Sequence, residues 1–317
     1  MAKNKDFDLE AFKATLQLAD TPLKPDKFVV LDECLHSVLG VPGPALGHIT
    51  QVFGPSDSGK TSLMFHTAAK AQEQGILPVI NITEGKIDWD RAKAMGFDRT
   101  NAIINENCDF LEDVFSFQDK IIAAVSSGEL PRDVMLFFDS VGNTLSKDEV
   151  IVQPDGTWEK KSTMMKAAKV ISENMRTLSK KINDTRKISY PKSVGMFIIN
   201  QAYTQPPAFP GGKPSQVPYG GSSIWYRSSL VLRTKKAKKL TAKKDGIELG
   251  FGIVARISVD KNHISNTTNS GEFVITSDSI IPNEKKAVAA YKEKHKADWG
   301  SATITAESLE DSDDTDF

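Results

Sequence analysis

The sequence has almost no cysteine. Cys34 and Cys108 are its two thiols among 317 residues, too few for a disulfide framework and without the spacing of a metal site. Such usage fits a reducing compartment and leaves no expectation of zinc. The opening MAKNKDFDLE contains no apolar run of signal-peptide length, and no stretch approaches the roughly 20 apolar residues of a membrane span. No charge of one sign prevails either, since 40 Lys and Arg face 41 Asp and Glu. Net charge therefore points to no polyanionic partner, and a site for one has to come from local clustering. There is no internal repeat. These absences predict a soluble, cytoplasmic chain without membrane contact.

What is present suffices for a large core. Hydrophobic residues make up 39% of the chain, enough for one large domain with short appendages. Apolar runs rich in Val, Ile and Phe recur between helical patterns: HITQVFG, PVINITE, VMLFFDS, VGMFIIN, LVLRT and GIVARISVD. They are apolar throughout rather than alternating, which suits strands covered on both faces. The pattern predicts an α/β fold with a largely parallel, twisted sheet and helices on each side. Helical patterns occupy TSLMFHTAAKAQEQ, DWDRAKAM, 112–126 and 163–182. Ahead of them, DLEAFKATLQLA (8–19) sets Leu9, Phe12 and Leu16 on one stripe before the prolines of TPLKP stop it. The division is then an amino-terminal helix and linker (1–26), a core (27–280), and a short charged helix with an acidic tail (281–317). Two interior segments, about 146–162 and 202–222, lack a regular pattern; irregular segments of that length in a compact domain are functional loops or disorder.

GPSDSGKT at 54–61 follows an apolar strand and opens a helix, the context a G-x4-G-K-T phosphate-binding motif requires. Gly54 and Gly59 bracket Pro55, Ser56, Asp57 and Ser58, permitting a loop whose amide hydrogens converge on phosphate oxygens. The helix amino end adds positive potential, Lys60 reaches the outer phosphates and the Thr61 hydroxyl ligates magnesium. A glycine-rich turn without ligand is the plainer alternative. VMLFFDS ends in Asp139, at the carboxyl edge of the sheet beside Lys60, where it would help hold the magnesium. A strand-end Asp also serves as a helix cap. PVINITE ends in Glu84, which at the same edge can accept the proton of an attacking water or stand as a solvated acid.

TEGKIDWDRAKAMGFD (83–98), following GPSDSGKT, resembles the RecA family of DNA strand-exchange recombinases and its phage UvsX-type relatives. MLFFDSVGNTLSK, VGMFIINQ, GGSSIWYRSSLVLR and ARISVDKNHIS continue the resemblance in order over about 27–277. The resemblance implies ATP and Mg2+ as cofactors, single- and double-stranded DNA as partners, and a helical homo-oligomeric filament. It makes Glu84 the catalytic glutamate and places Asp88 where an acid contacts adenine. It makes Gln201 the glutamine that senses the γ-phosphate and passes the signal to a DNA-binding loop at 202–222. Segment 146–162 matches the family's other DNA-binding loop. A loop anchored beside the γ-phosphate can be ordered by ATP and released after hydrolysis.

The loops carry fitting residues: Lys147, Trp158, Lys160 and Lys161 in the first, and Tyr203, Phe209, Lys213 and Tyr219 in the second, which closes on Gly220 and Gly221. Cations suit phosphates and rings suit base steps, although ordinary mobile surface loops share this composition. RTKKAKKLTAKK (233–244) holds seven cations in twelve residues and reads as a solvated or disordered face, or as a secondary patch guiding duplex DNA. The chain also departs from the family pattern. In KNHIS, Lys261 matches the first of two cations that reach a neighbour's ATP, but His263 stands at the second, and a histidine is partly charged near neutral pH. Arg91 stands where bacterial relatives stack a tyrosine on adenine; a guanidinium stacks as well. The bacterial carboxyl-terminal domain has no counterpart after about residue 280. ESLEDSDDTDF carries six acids in eleven residues, so it reads as a solubilising tail or as one that competes with DNA for cationic surface.

The expectation is an ATP-dependent recombinase that polymerises head to tail on single-stranded DNA, with single-strand-binding and mediator proteins as further partners. Its amino-terminal helix packs on the next subunit or on its own core. Two other readings stay open: a closed-ring RecA-fold ATPase of the helicase kind, and a mediator that binds ATP without turnover.

Overall fold

The computed structural model describes residues 8, 12–13, 22–83, 85, 87–106, 108–153, 157–160, 166–207, 209, 211–212, 214–244 and 247–295, without the side chains of 152, 158, 160, 243, 244 and 247. The first half runs α1 (Glu33–Leu39), β1 (Ile49–Gly54), α2 (Lys60–Glu73), β2 (Leu77–Ile82), α3 (Trp89–Ala94), β3 (Ile103–Asn105), α4 (Leu111–Ser127) and β4 (Val134–Asp139). Then come β5 (Val150–Val152), β6 (Trp158–Lys160), α5 (Lys166–Asp184), β7 (Val194–Gln205), β8 (Ser215–Pro218) and α6 (Ser222–Arg227). The chain continues through β9 (Leu230–Lys244), β10 (Ile247–Asn262), β11 (Ser270–Thr276), β12 (Ile280–Pro282) and α7 (Lys285–Lys294). Strands β3, β2, β4, β7, β1 and β9 lie side by side in parallel, and β10, β11 and β12 extend the same sheet antiparallel from β9. The expected largely parallel α/β sheet is the one observed.

Burial on both faces explains the unbroken apolar runs. In β4, Met135 and Phe137 face a core with α1, α2 and α3, while Val134, Leu136 and Phe138 face a second core with α4, α5 and α6. β7 divides the same way, with Phe197 and Ile199 on one side and Met196 and Ile198 on the other. Each such side chain contributes roughly 1.5–3 kcal/mol on leaving water. A third core lies where α7 covers the antiparallel extension, with Phe251 stacked on Tyr291 at a centroid distance of 6.3 Å.

Three segments differ from their expectation. The stretch expected to be irregular at 146–162 begins with a 3-10 turn, Lys147–Glu149, and pairs β5 with β6 in a hairpin. In 202–222, β7 runs on to Gln205 and β8 returns antiparallel to it, so this stretch also has a hairpin at its base. The basic run 233–244 is neither loop nor disordered face: it forms β9, zipped to β10 along its length. In β6, β8 and β9 strand form is set by a cross-strand partner rather than by local apolarity, whereas β5 is the short apolar run Val150–Val152.

Near the amino end, the Phe12 N–H donates to Asp8 O at 3.1 Å and the Phe12 ring is 47% exposed, while Leu9 and Leu16 lie outside the described residues. Lys24 bonds Thr185 O and Ser193 Oγ, so the linker already holds the core at that point. Both cysteines are free, and burial together with Asp113 pushes the Cys108 thiol up to about 11. Among the described residues no helix is long and apolar enough to cross a membrane.

Phe138 is fully buried and meets Phe115 edge-on at 6.4 Å. Phe138→Ala is expected to cost about 3–5 kcal/mol. The check is a urea titration in which the midpoint falls at unchanged slope.

Candidate functional site

The carboxyl ends of the parallel strands meet at one edge of the sheet, and the expected site residues gather there. β1 delivers Gly54 into the turn that opens α2. A Cβ on Gly54 would lie 2.3 Å from Thr234 O, and one on Gly59, at φ 89°, would lie 2.3 Å from Ile275 Cδ1. Gly54 is thus demanded by space against backbone and Gly59 by its left-handed φ, and Asp57 between them takes a left-handed φ of 58°. Ser58 Oγ donates to Pro55 O at 2.8 Å and lies 2.7 Å from Thr234 Oγ1, pinning the loop to β9. The Lys60 ammonium donates to Gly54 O and Pro55 O at 2.9 and 2.6 Å, at the mouth of the loop. α2 has 14 residues and starts at Lys60, so its unpaired amides point into the turn.

Thr61 Oγ1 donates to Asp139 Oδ2 at 2.8 Å, and Asp139 is 3% exposed. A hydroxyl and a carboxylate beside a helix amino end form the oxygen donor set that Mg2+ takes when phosphates complete its shell. Glycine-lined amides at the start of α2 fit a phosphate chain. Among the described residues no cluster of three or more His, Cys, Asp or Glu offers a separate metal site.

Glu84 lies outside the described residues, but the residue before it is firmly placed. Thr83 N donates to Asp139 O at 2.9 Å, Ser140 N donates to Thr83 Oγ1 at 3.2 Å, and Thr144 Oγ1 donates to Thr83 Oγ1 at 2.8 Å. Strand β2 therefore ends locked to the end of β4. Gln201 pairs in register with Gly54, and its Nε2 donates to Asn143 Oδ1 at 2.8 Å. A Cβ on Gly142 would stand 3.1 Å from Gln201 Cβ and Cγ, so glycine there admits the glutamine.

A cleft of about 900 Å³ opens beside the loop, lined among others by Asp57, Lys60, Asp88, Arg91, Lys236 and Lys239. Asp88 caps α3 by accepting from Arg91 N at 2.9 Å, and the Arg91 guanidinium donates to Thr276 O at 3.2 Å across the cleft. Asp88 and Arg91 are thus brought together with the phosphate loop, Arg91 as a bridge between α3 and the end of β11.

The two loops share this edge. Tyr219 N donates to Gln201 O, and Asn200 Nδ2 donates to Tyr219 O, so the second loop closes on the Gln201 backbone. Burial and the charge of Glu149, in the first loop, raise the Tyr219 phenol. Gly220 and Gly221 both have positive φ; a Cβ on Gly220 would meet Ile171 at 2.9 Å, whereas Gly221 faces open space. Tyr203 and Phe209 are exposed. Lys147 is engaged with Asp113 and lies over the Phe110 ring. Lys161 and Lys213, and the side chains of Trp158 and Lys160, lie outside the described residues.

Lys261 and His263 lie away from this edge. The Lys261 ammonium donates to Trp225 O and Tyr226 O at the end of α6, and burial lowers its pKa. His263 is exposed, its N–H donating to Ser229 O. Neither approaches the cleft of its own protomer. Residues that sequence reasoning missed are Thr83, Ser140, Asn143, Thr144 and Thr234, polar partners whose signal is a contact across the fold rather than a motif.

A family model described as the RecA N-terminal domain matches residues 16–281. The DNA repair protein recA homolog 3, mitochondrial, of Arabidopsis thaliana is 28% identical over 240 residues, covering 75% of this chain and 50% of that protein. Protein RecA of Symbiobacterium thermophilum is 30% identical over 241 residues, 76% of this chain and 62% of its own length. For Protein RecA of Chlorobium chlorochromatii the figures are 31% over 241 residues, 76% and 61%. The chain thus spans about half to three-fifths of the length of these curated relatives. With the matched region running from ahead of the phosphate loop into β12, the chain belongs to the RecA family.

Proposed function

We propose that the chain is an ATP- and Mg2+-dependent recombinase of the phage UvsX type that polymerises on single-stranded DNA in the cytoplasm of a host cell and exchanges strands with homologous duplex. The observation that carries this reading is the double attachment of Gln201. Its side chain holds Asn143, next to the first loop, and its backbone holds Tyr219 at the close of the second. A residue paired with Gly54 of the phosphate loop is thereby tied to both candidate DNA loops.

The roles proposed with this reading are as follows. The amides from Gly54 to Thr61 hold the phosphate chain, Lys60 turns from its loop carbonyls to the outer phosphates, and Thr61 and Asp139 hold the metal. Bound ATP with Mg2+ supplies a phosphoryl group open to attack by water. Glu84, one residue beyond the locked Thr83, accepts the proton of that water. Gln201 reads the terminal phosphate and sets the loops. Asp88 and Arg91 hold the base. Lys147, Trp158, Lys160, Lys161, Tyr203, Phe209, Lys213, Tyr219, Gly220 and Gly221 form the DNA surface. Lys261 and His263 face the ATP of the next subunit in a head-to-tail filament, whose non-closing contact the amino-terminal helix completes through Leu9, Phe12 and Leu16. Single-strand-binding and mediator proteins would load it.

The deciding experiment is joint-molecule formation between circular single strands and linear duplex, with ATP and Mg2+. Absence of joint molecules despite DNA-stimulated ATPase would point to a ring-forming ATPase, and absence of both to a mediator. Glu84→Gln is expected to cut turnover by about 100-fold or more while ATP and DNA affinities hold, as loss of a general base does. Unchanged hydrolysis would remove Glu84 from the mechanism. Gln201→Ala is expected to bind ATP normally and lose the nucleotide dependence of single-strand affinity, a coupling of about 5–150-fold in such systems. Fluorescence anisotropy of labelled single strands with and without ATP reads it. Lys261→Ala is expected to abolish the cooperativity of the DNA-dependent ATPase while ATP binding to the DNA-free protein persists, read from velocity against protein concentration.

A further inference from the structure

The basic strand β9 has two differently placed sets of cations. Thr234 lies against the phosphate loop through Ser58. Two residues on, at a rise of about 3.3 Å per residue, stands Lys236. Strict alternation would turn Lys238 to the same side. The ladder slips instead: Lys236 pairs with Ala255 and Lys238 with Val254, leaving Ala237 without a partner. This bulge shifts the phase of the strand, so that Lys239 rather than Lys238 joins Lys236 in lining the cleft. The side chain of Lys239 passes over Gly250, whose Cβ, were there one, would lie 2.9 Å from Lys239 Cε.

The two sets also differ in compensation. Lys235 stands opposite Arg256, and that repulsion is relieved by Glu272, which Arg256 engages at 2.8 Å. Lys236 and Lys239 make no ion pair or side-chain hydrogen bond among the described residues. These two ammonium groups join Lys60 and Arg91 in the cleft and raise the positive potential of a concave site, which favours the entry of an anion. Asp57, Asp88 and Asp90 also line the cleft without an ion pair to either lysine among the described residues, and against Lys60, Arg91, Lys236 and Lys239 they leave one positive charge in excess.

We propose that Lys236 and Lys239 form a phosphate-binding subsite of the cleft, supplied by the same protomer that carries the phosphate loop. It rests on the reading of the cleft as a nucleotide site. Its ligand class is the polyphosphate of a nucleoside triphosphate, and it provides cationic charge within one subunit, where Lys261 of that subunit is turned to the carbonyls of α6.

The test is calorimetric titration of the full-length, DNA-free protein with ATP and with AMP, both with Mg2+, at low and high salt. Lys236→Gln combined with Lys239→Gln is expected to weaken ATP about tenfold at low salt, leave AMP within about twofold, and flatten the salt dependence. Lys236→Arg with Lys239→Arg is expected to restore ATP affinity, since charge rather than shape is required. Lys285→Gln with Lys286→Gln removes the same charge from α7 and is expected to change neither ligand. Equal ATP affinity and equal salt slope in the Gln pair would overturn the subsite. So would an equal loss of ATP and AMP that the Arg pair shares, because that pattern assigns the lysines to packing. A wild-type protein that binds neither ligand would sink the nucleotide reading itself, and the subsite with it.

Discussion

Parallel strands covered on both faces can present polar chemistry only where they end. That constraint organises this molecule. The side chains of β4 and β7 are spent alternately on two cores, so neither strand has a free face for a functional group until its last residues. Asp139 and Gln201 stand where the apolar runs stop, and Gly54 stops beside Gln201 because β1 and β7 keep one register over six residue pairs. A one-residue slip between them would exchange the two faces of the strand as well as move the glutamine, so core packing and site geometry enforce each other.

The edge is also where buried polarity has to be balanced. Asp139 is almost fully enclosed, and an enclosed carboxylate is tolerated only when hydrogen bonds replace water. Thr61 gives one such bond, and the backbone of Asp139 and Ser140 is held by Thr83 and Thr144. The same bonds that satisfy the strand ends fix the positions from which a metal and a phosphate chain would be approached. Rigidity at this edge is therefore a by-product of satisfying polar groups in a dry setting.

Legibility in the sequence followed the same physics. β1, β2, β4 and β7 are readable because burial on two faces leaves an unbroken apolar signature, and the loop at 54–61 is readable because Gly54 answers a close backbone approach and Gly59 a left-handed φ. β9 is not, since beyond Thr234 its side chains are mostly cations and it is a strand because β10 pairs with it. The hairpins at 146–162 and 202–222 are hidden for a like reason: β5, β6 and β8 are three or four residues long, and β6 and β8 take their form from a partner. Asn143 and Thr83 carry no motif, their partners lying 58 and 57 positions away. The bulge at Ala237 is likewise a property of the paired strands, and it alone decides which lysines of the run look into the cleft.

The link from phosphate loop to loop hairpins can be weighed by its bonds. Gln201 reaches Asn143 through one side-chain bond and Tyr219 through one backbone bond, with Asn200 adding a third to the Tyr219 carbonyl. At about 0.5–1.5 kcal/mol each, these bonds together match the roughly 1–3 kcal/mol that typical coupling between sites involves. In the coupling proposed for Gln201, a link of this size suffices to transmit a change at the phosphate edge and is weak enough to be broken by one. Gly142 and Gly220 suit this link: a Cβ at Gly142 would press on Gln201 at 3.1 Å, and Gly220 takes a left-handed φ with Ile171 at 2.9 Å from such a Cβ.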